Sequence, residues 1–509
     1  MSDWTSGYVS EIDYLYGCYS ELNPLRASLA FLNVGLRHPS FATACELGFG
    51  QGVSVTMHAA ASLTTWHGTD FNPVHAASAQ ALARISGAAA DLREEGFEQF
   101  CTRDDLPDFD FVGLHGVWSW ISDENRRLIV DFLGRKLKVG GVLYISYNCL
   151  PGWAAMVPFR HLMSEHASLM SRPGEPITTR VSAAMTFMDG LLAAGSSFAE
   201  AQPGPVARLK RMNEQSRSYL AHEYFNRDWD PVHFAEMADW LAPAKLAYAC
   251  SASPLEHIDF LNLTTAQRTF LKEIPNPRFR ESTRDILVNQ QFRRDYWVKG
   301  AKRLARPAQM EAVRNLRMVL TTPRAEIALT ARGAIGETKL DAETYEPVLR
   351  VLEDYRIRSL AEIEAETKKD SVAFGQLVQV AIVLIGKGVA CLAQEDAVID
   401  RAKQQTDRLN AHLMDQARTS WDIGYLASPV TGGAVAVGRV EQLFLLARTL
   451  GLPASGWGSF VADLFDRQEE KLQKGGESLD TVALSRELDE RAEKFAASGL
   501  AILKALMIA

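Results

Sequence analysis

Short apolar runs alternate with amphipathic or alanine-rich segments through the first half of the chain, the pattern of a parallel α/β sheet. Residues 41–47 form an apolar run that ends at glycines and predict a buried strand, with a helix over 53–62 behind it. Residues 65–70 predict a strand, 73–85 an alanine-rich helix, and 109–115 a further strand after the turn Leu106-Pro107-Asp108. An amphipathic helix is predicted over 123–137, stopped by Gly140-Gly141 in the manner of a left-handed cap, with a strand over 142–147.

From Pro151 to about Trp240 the pattern turns helical, with loops expected at Arg172-Pro173-Gly174 and Pro203-Gly204-Pro205. Residues 245–252 and 294–299 predict two more strands. Between Pro307 and Gln394 the order helix (359–365), polar break, helix (373–385) and short strand (389–393) predicts a winged-helix shape. The remainder is expected to be helical apart from a loop at Ser428-Pro429-Val430-Thr431-Gly432-Gly433. The fold expected is α/β: a Rossmann-like sheet domain over 1–302 with a helical insertion at about 154–240, a winged-helix-like regulatory domain over 307–396, and a mostly helical C-terminal domain over 400–509.

Composition narrows the function classes. With 509 residues the chain exceeds a single core. It is 47% hydrophobic and 23% charged, ordinary for a soluble protein. A net charge of −8 speaks against a nucleic-acid partner, and the helix over 373–387, mostly apolar with one lysine, is a poor DNA reader. The six cysteines form no CxxC pair and no zinc spacing, so no metal is expected and a reduced, cytoplasmic setting is. No leader is expected at the N-terminus, and the longest apolar stretch, 374–390, is too short and polar for membrane insertion.

The most specific local feature is Glu46-Leu47-Gly48-Phe49-Gly50-Gln51-Gly52, placed between a strand and a helix as a nucleotide loop requires. Asp70 ends the next strand, where a carboxylate meets a ribose diol. The dinucleotide spacing GxGxxG fails, because the third glycine falls on Val53 or Val55. A ligand with a ribose and no pyrophosphate fits instead, and S-adenosylmethionine is such a ligand. By themselves the glycines also suit a plain strand-to-helix turn, with Asp70 capping the next helix.

These residues, with Gly68-Thr69-Asp70-Phe71-Asn72-Pro73, Leu114-His115-Gly116-Val117-Trp118-Ser119-Trp120 and Ser146-Tyr147-Asn148-Cys149-Leu150-Pro151-Gly152-Trp153, resemble bacterial class I methyltransferases with an appended methyltransferase regulatory domain. The stretches 218–224 and 289–295 resemble that family too. The resemblance implies S-adenosylmethionine as cofactor, bound through Glu46, Gly48, Gly50, Gly52, Asp70, Phe71, Asn72 and His115. It also implies, from the protein-lysine methyltransferases of outer-membrane proteins similar to it, a lysine acceptor on a protein substrate. One departure concerns adenine, which relatives meet with an acid after the third strand. Here Cys101 or Thr102 occupies that slot, and Asp104 or Asp105 is the nearby acid, Asp104 being the candidate contact.

Acceptor chemistry is expected beyond the fourth and fifth strands, at the carboxyl ends where open sheets bind ligands. His115 is a candidate proton acceptor or a structural histidine. Tyr147 and Asn148 are candidate hydrogen-bonding partners of the acceptor nitrogen. Trp118, Trp120 and Trp153 are candidate walls for an ammonium group, or else core residues. Tyr14, Tyr16 and Tyr19 form a lid or a packed N-terminal helix. His222, Glu223 and Tyr224 form a further polar set, either structural or acceptor-binding. Residues 307–509 are expected to recruit the protein substrate or mediate a homodimer. A small-molecule or glycan acceptor, and a pseudoenzyme acting through its C-terminal half, are the alternatives.

Overall fold

The apolar runs of the first half assemble into one seven-stranded sheet in the computed structural model, which describes residues 7–9, 12, 15–172, 174–474 and 477–509. Its strands are β1 (Thr43–Leu47), β2 (Thr65–Asp70), β3 (Ala90–Glu94), β4 (Phe109–Leu114), β5 (Leu137–Asn148), β6 (Leu246–Ser251) and β7 (Phe292–Lys299). The order is β3-β2-β1-β4-β5-β7-β6, with β7 antiparallel between β5 and β6 and the β1–β5 pairings all parallel. The order reverses between β1 and β4, the position at which open sheets bind ligands. Side chains alternate between the faces of β5: Leu143, Ile145 and Tyr147 pack with the helix Asp123–Lys136, while Val142 and Tyr144 pack with the opposite layer.

Two local expectations are corrected. Gly140-Gly141 does not stop the helix, which ends at Lys136 and passes into β5 at Leu137. Gly140 takes its left-handed φ of 86° inside the strand, where the β4–β5 register jumps from Phe109↔Leu137 to Phe111↔Val142. Pro203-Gly204-Pro205 is not a loop. Pro203 opens the helix Pro203–Met212, since a first-turn proline forfeits no intrahelical bond.

Helix α1 (Val53–Ala61) follows β1 and α2 (Pro73–Ser86) follows β2. Between β5 and β6 an array of helices carries its own methionine-rich core around Met163, Met185 and Met188, and includes α3 (Arg217–Tyr224). Beyond the sheet, the helices Leu360–Thr367 and Phe374–Gly386 lead into the strand Ala390–Ala393. The middle strand of that small antiparallel sheet, Arg317–Leu320, comes from ahead of the helices. The expected loop over 428–433 is the turn of a hairpin, Tyr425–Ser428 with Gly433–Ala436, inside an otherwise helical region. Among the described residues no single helix is long and apolar enough to cross a membrane, and Phe374–Gly386 lies in the core of the second unit.

Candidate active site

Residues at and just beyond the carboxyl ends of β1, β2, β3 and β4 converge on a pocket at the strand-order reversal. The loop after β1 turns through Gly48, Gly50 and Gly52, all at positive φ. At Gly52, with φ 77°, a Cβ would lie 2.2 Å from the Ala79 Cβ, so the loop closes against α2 only without a side chain. At Gly48 a Cβ would lie 2.7 Å from Val117 Cγ2. Asp70 fixes the loop from the end of β2: one carboxylate oxygen accepts from the Gly50 amide at 2.8 Å, the other from the Asn72 amide at 3.0 Å. The His75 ring nitrogen lies 3.2 Å from the second oxygen.

Beneath the loop, polar atoms are left over. Glu46 is 3% exposed and its Oε2 has no partner among the described residues, nor have the amide oxygen and nitrogen of Gln51, 2% exposed. Burial, and then the neighbouring Asp70, hold the Glu46 carboxyl well above the usual carboxylate range. Leaving such atoms unmade is costly, and the amino-acid end of S-adenosylmethionine supplies both an ammonium and a carboxylate to satisfy them. The donor set therefore fits that cofactor, with Asp70 for the ribose hydroxyls.

The acid after β3 is Glu95, which borders the pocket with Gly96 and Phe97 and pairs with Arg103 at 2.8 Å. Asp104 is exposed and outside the pocket lining, in the turn after the helix Phe97–Cys101, where Lys136 holds its carbonyl. Of the two acids, the one that borders the pocket is therefore Glu95. Glu95 was missed because β3, Ala-Asp-Leu-Arg-Glu, is a polar edge strand whose only buried side chain is Leu92. An edge strand gives little apolar signal; the signal that was available was the Glu-Gly-Phe turn itself.

His115 follows directly on β4 and borders the pocket. Its Nδ1 shares a hydrogen bond with the Tyr144 hydroxyl at 2.7 Å, and its ring stacks on Tyr19 with centroids 3.6 Å apart. Burial pushes its pKa down to about 4, so it stands neutral at neutral pH. Phe71 borders the pocket, edge-on to Tyr8 at 5.9 Å. Tyr8 roofs the site from the N-terminal segment, which α3 and its following turn secure: Arg227 N–H donates to the Gly7 carbonyl at 3.0 Å and Val9 N–H to Asn226 Oδ1 at 2.8 Å.

Comparison with known proteins identifies the lineage. The family described as "predicted methyltransferase regulatory domain" matches residues 216–299. An uncharacterized protein of Synechocystis, sll1526, is 36% identical over 511 residues, covering 99% of both chains. The chain belongs to the bacterial class I methyltransferases that carry this regulatory domain. An uncharacterized protein of Rickettsia prowazekii, RP789, is 25% identical over 56% of this chain and 54% of its own. Among solved structures, PKMT2 from Rickettsia typhi in complex with AdoHcy aligns over 97% of this chain and 99% of its own, with a TM-score of 0.68 at 17% identity. The likeness extends the shared fold to the C-terminal half. In this methyltransferase the matched segment, 216–299, starts at α3 and completes the sheet with β6 and β7.

The remaining candidates divide. Trp120 borders the methyltransferase pocket and its Nε1 donates to the Glu223 carbonyl at 3.3 Å. Trp118 is fully buried against Trp240 and Arg126, and Trp153 is buried in the insertion core beneath Arg208, 3.8 Å from its ring centroid; neither forms a pocket wall. Tyr147 points to the other face of β5, off the pocket lining, and donates to Asp295 Oδ2 at 2.8 Å. The site-side residues of that strand are Tyr144, which bonds His115, and Ser146, whose hydroxyl accepts from the Gly116 amide at 2.9 Å. Asn148 is buried outside the pocket lining, its backbone N–H on the Ser119 hydroxyl and its Nδ2 without a partner among the described residues. Asn72 caps α2 and also lies off the lining. Tyr14 lies outside the described residues, Tyr16 packs toward the C-terminal core, and no helix covers residues 15–19.

Proposed function

We propose that this methyltransferase transfers methyl from S-adenosylmethionine to lysine side chains of a protein substrate. The observation that carries the cofactor half is the set of unpartnered buried atoms on Glu46 and Gln51 beneath a glycine loop that Asp70 holds by its amides. What supports a lysine acceptor is the whole-length likeness to PKMT2, a protein-lysine methyltransferase, together with an aromatic rim at Tyr8, Phe71 and Trp120 suited to an ammonium group.

The cofactor supplies a methyl group activated by a sulfonium. The chain orients and desolvates. Gly48, Gly50, Glu46 and Gln51 hold the amino-acid end, Asp70 the ribose, and Glu95 with Phe97 the adenine side. Neutral His115, fixed by Tyr144 and Tyr19, shapes the wall that the acceptor approaches. Residues 307–509 recruit the protein substrate or pair two copies of the chain.

Calorimetric titration with S-adenosylhomocysteine, with NAD as control, tests the first half. Micromolar binding of the former alone is expected; its absence removes the methyltransferase reading. Incubation of cell-envelope proteins with labelled S-adenosylmethionine, followed by mass spectrometry, tests the second. Label on lysine is expected, and label confined to other atoms overturns the acceptor.

A further inference from the structure

The partly buried acid Glu223 is used by nothing described so far. It sits near the end of α3, whose closing turn is fixed on three sides. Trp120 Nε1 donates to the Glu223 carbonyl, Arg160 Nε donates to the Tyr224 carbonyl at 2.9 Å, and the Asn226 side chain donates to the His222 carbonyl at 2.6 Å. On one side of Glu223 lies the pocket roof: the Tyr8 ring stands 5.8 Å from His222, and its hydroxyl feels the charges of both Asp70 and Glu223. On its own helix, Tyr219 and Tyr224, whose hydroxyls feel the Glu223 charge, border with Arg208 a groove of about 650 Å³, large enough for a side chain and its neighbours. Among the described residues the Glu223 carboxylate has no hydrogen-bond partner and no ion pair within 4 Å. The Arg208 guanidinium, its nearest opposing charge, stacks on Trp153 and bonds the Tyr224 hydroxyl instead.

Resting on the lysine reading above, we propose that Glu223 receives the acceptor ammonium between groove and pocket and takes its proton. The N–H bond breaks and the proton passes to the carboxylate, leaving a neutral amine. The nitrogen lone pair then forms the N–C bond, and the electrons of the broken C–S bond stay on sulfur as the neutral thioether. The product is a methylammonium, and Glu223 returns its proton to water.

The surroundings suit the task. Burial raises the Glu223 pKa to about 7, with Arg208 opposing. The charged and titratable groups about it are Arg208 from the helix Pro203–Met212, Tyr8 from the N-terminal segment, and Tyr219 and His222 of α3, with Asp70 beyond Tyr8. An acid that ionises near 7 is poised to exchange a proton at neutral pH. His115, held neutral with one ring nitrogen engaged, is the weaker base.

The test uses n-butylammonium, a lysine side-chain mimic, titrated into the S-adenosylhomocysteine complexes of the full-length wild type, E223Q and E223D. Wild-type affinity is expected to rise at least threefold from pH 6 to pH 8 as Glu223 ionises. E223Q should lose at least tenfold in amine affinity with S-adenosylhomocysteine affinity unchanged, and E223D should recover part of the loss. Equal amine affinity in wild type and E223Q, or no amine binding by the wild type, overturns the proposal. Lysine labelling by the same wild-type preparation reports separately on the activity reading, so the two failures are distinguishable.

Discussion

Asp70 has two jobs at one position. Its carboxylate holds the Gly50 and Asn72 amides and, in the proposed cofactor reading, presents the same charge to a ribose. Asp70→Asn keeps the shape and removes the charge. A hydrogen bond to a charged group is worth about 1.5–3 kcal/mol, so the S-adenosylhomocysteine Kd should rise about tenfold to a hundredfold by calorimetry. An unchanged Kd would remove Asp70 from the ribose site. Gly52→Ala is a stability test of the same loop. It adds a Cβ 2.2 Å from Ala79 at a left-handed φ, and the strain and overpacking together should cost about 3 kcal/mol in urea unfolding. A loss below 0.5 kcal/mol would mean the α1–α2 contact yields freely. These two positions were legible in the sequence because the motif fixes both residue type and spacing. Tyr147 was not. The strand was placed correctly, but which of its faces meets the pocket depends on parity, and a one-residue difference exchanges Tyr147 for Tyr144 and Ser146.

Helix α1 shows what an element is asked to bear. Every residue from Val53 to Ala61 is buried, because the sheet covers one side and the C-terminal region the other. Val-Ser-Val-Thr-Met-His-Ala-Ala-Ala has no strongly polar stripe, which is how a helix buried all round reads. The sequence carried that signal, but it does not say what lies on the second side. His58 is enclosed here, its Nε2 3.4 Å from the Tyr19 carbonyl, and burial lowers its pKa to about 4. A histidine depressed from about 6.5 contributes stability that is whole above pH 6.5 and is lost as pH falls toward 4, up to about 3 kcal/mol. The carboxyls of Glu46 and Asp295 are raised and act oppositely, so the effect is read by difference. The stability of wild type relative to His58→Gln should decline between pH 7 and pH 4.5 in urea unfolding. A constant difference would show that His58 does not titrate against folding. Elements at the sheet edge were harder to read than α1: β3 lacks an apolar run, and Gly140-Gly141 carries a strand irregularity that in sequence looks like a helix stop.

At the scale of the molecule, the C-terminal half is built against the glycine loop's own helix. The hairpin Tyr425–Ser428 with Gly433–Ala436 lies against α1: Asn23 Nδ2 donates to the Thr431 carbonyl at 2.9 Å, and Gln394 Nε2 donates to the carbonyls of Ala61 and Pro429, both at 2.7 Å. Gln394 thus joins the end of the small sheet, the end of α1 and the hairpin at one side chain. No periodicity in the sequence announces this junction, because two of its three hydrogen bonds span more than 300 positions. Whatever displaces the hairpin should therefore reach Gly48–Gly52 through α1. Gly433→Val places a branched side chain where a Cβ alone would meet His58 Nδ1 at 2.9 Å and Asn23 Nδ2 at 3.0 Å. Gly456→Ala, in the same half, meets nothing nearer than Pro453 Cδ at 4.0 Å and serves as the control. The valine variant should lose about 2 kcal/mol of stability by overpacking and bind S-adenosylhomocysteine about tenfold more weakly, with the alanine variant like wild type. If the valine variant is destabilised yet binds with wild-type affinity, the hairpin is an anchor only. If affinity falls at temperatures where the variant remains fully folded, the C-terminal half is part of the cofactor site's rigid support, and anything that binds that half has a route to the glycine loop.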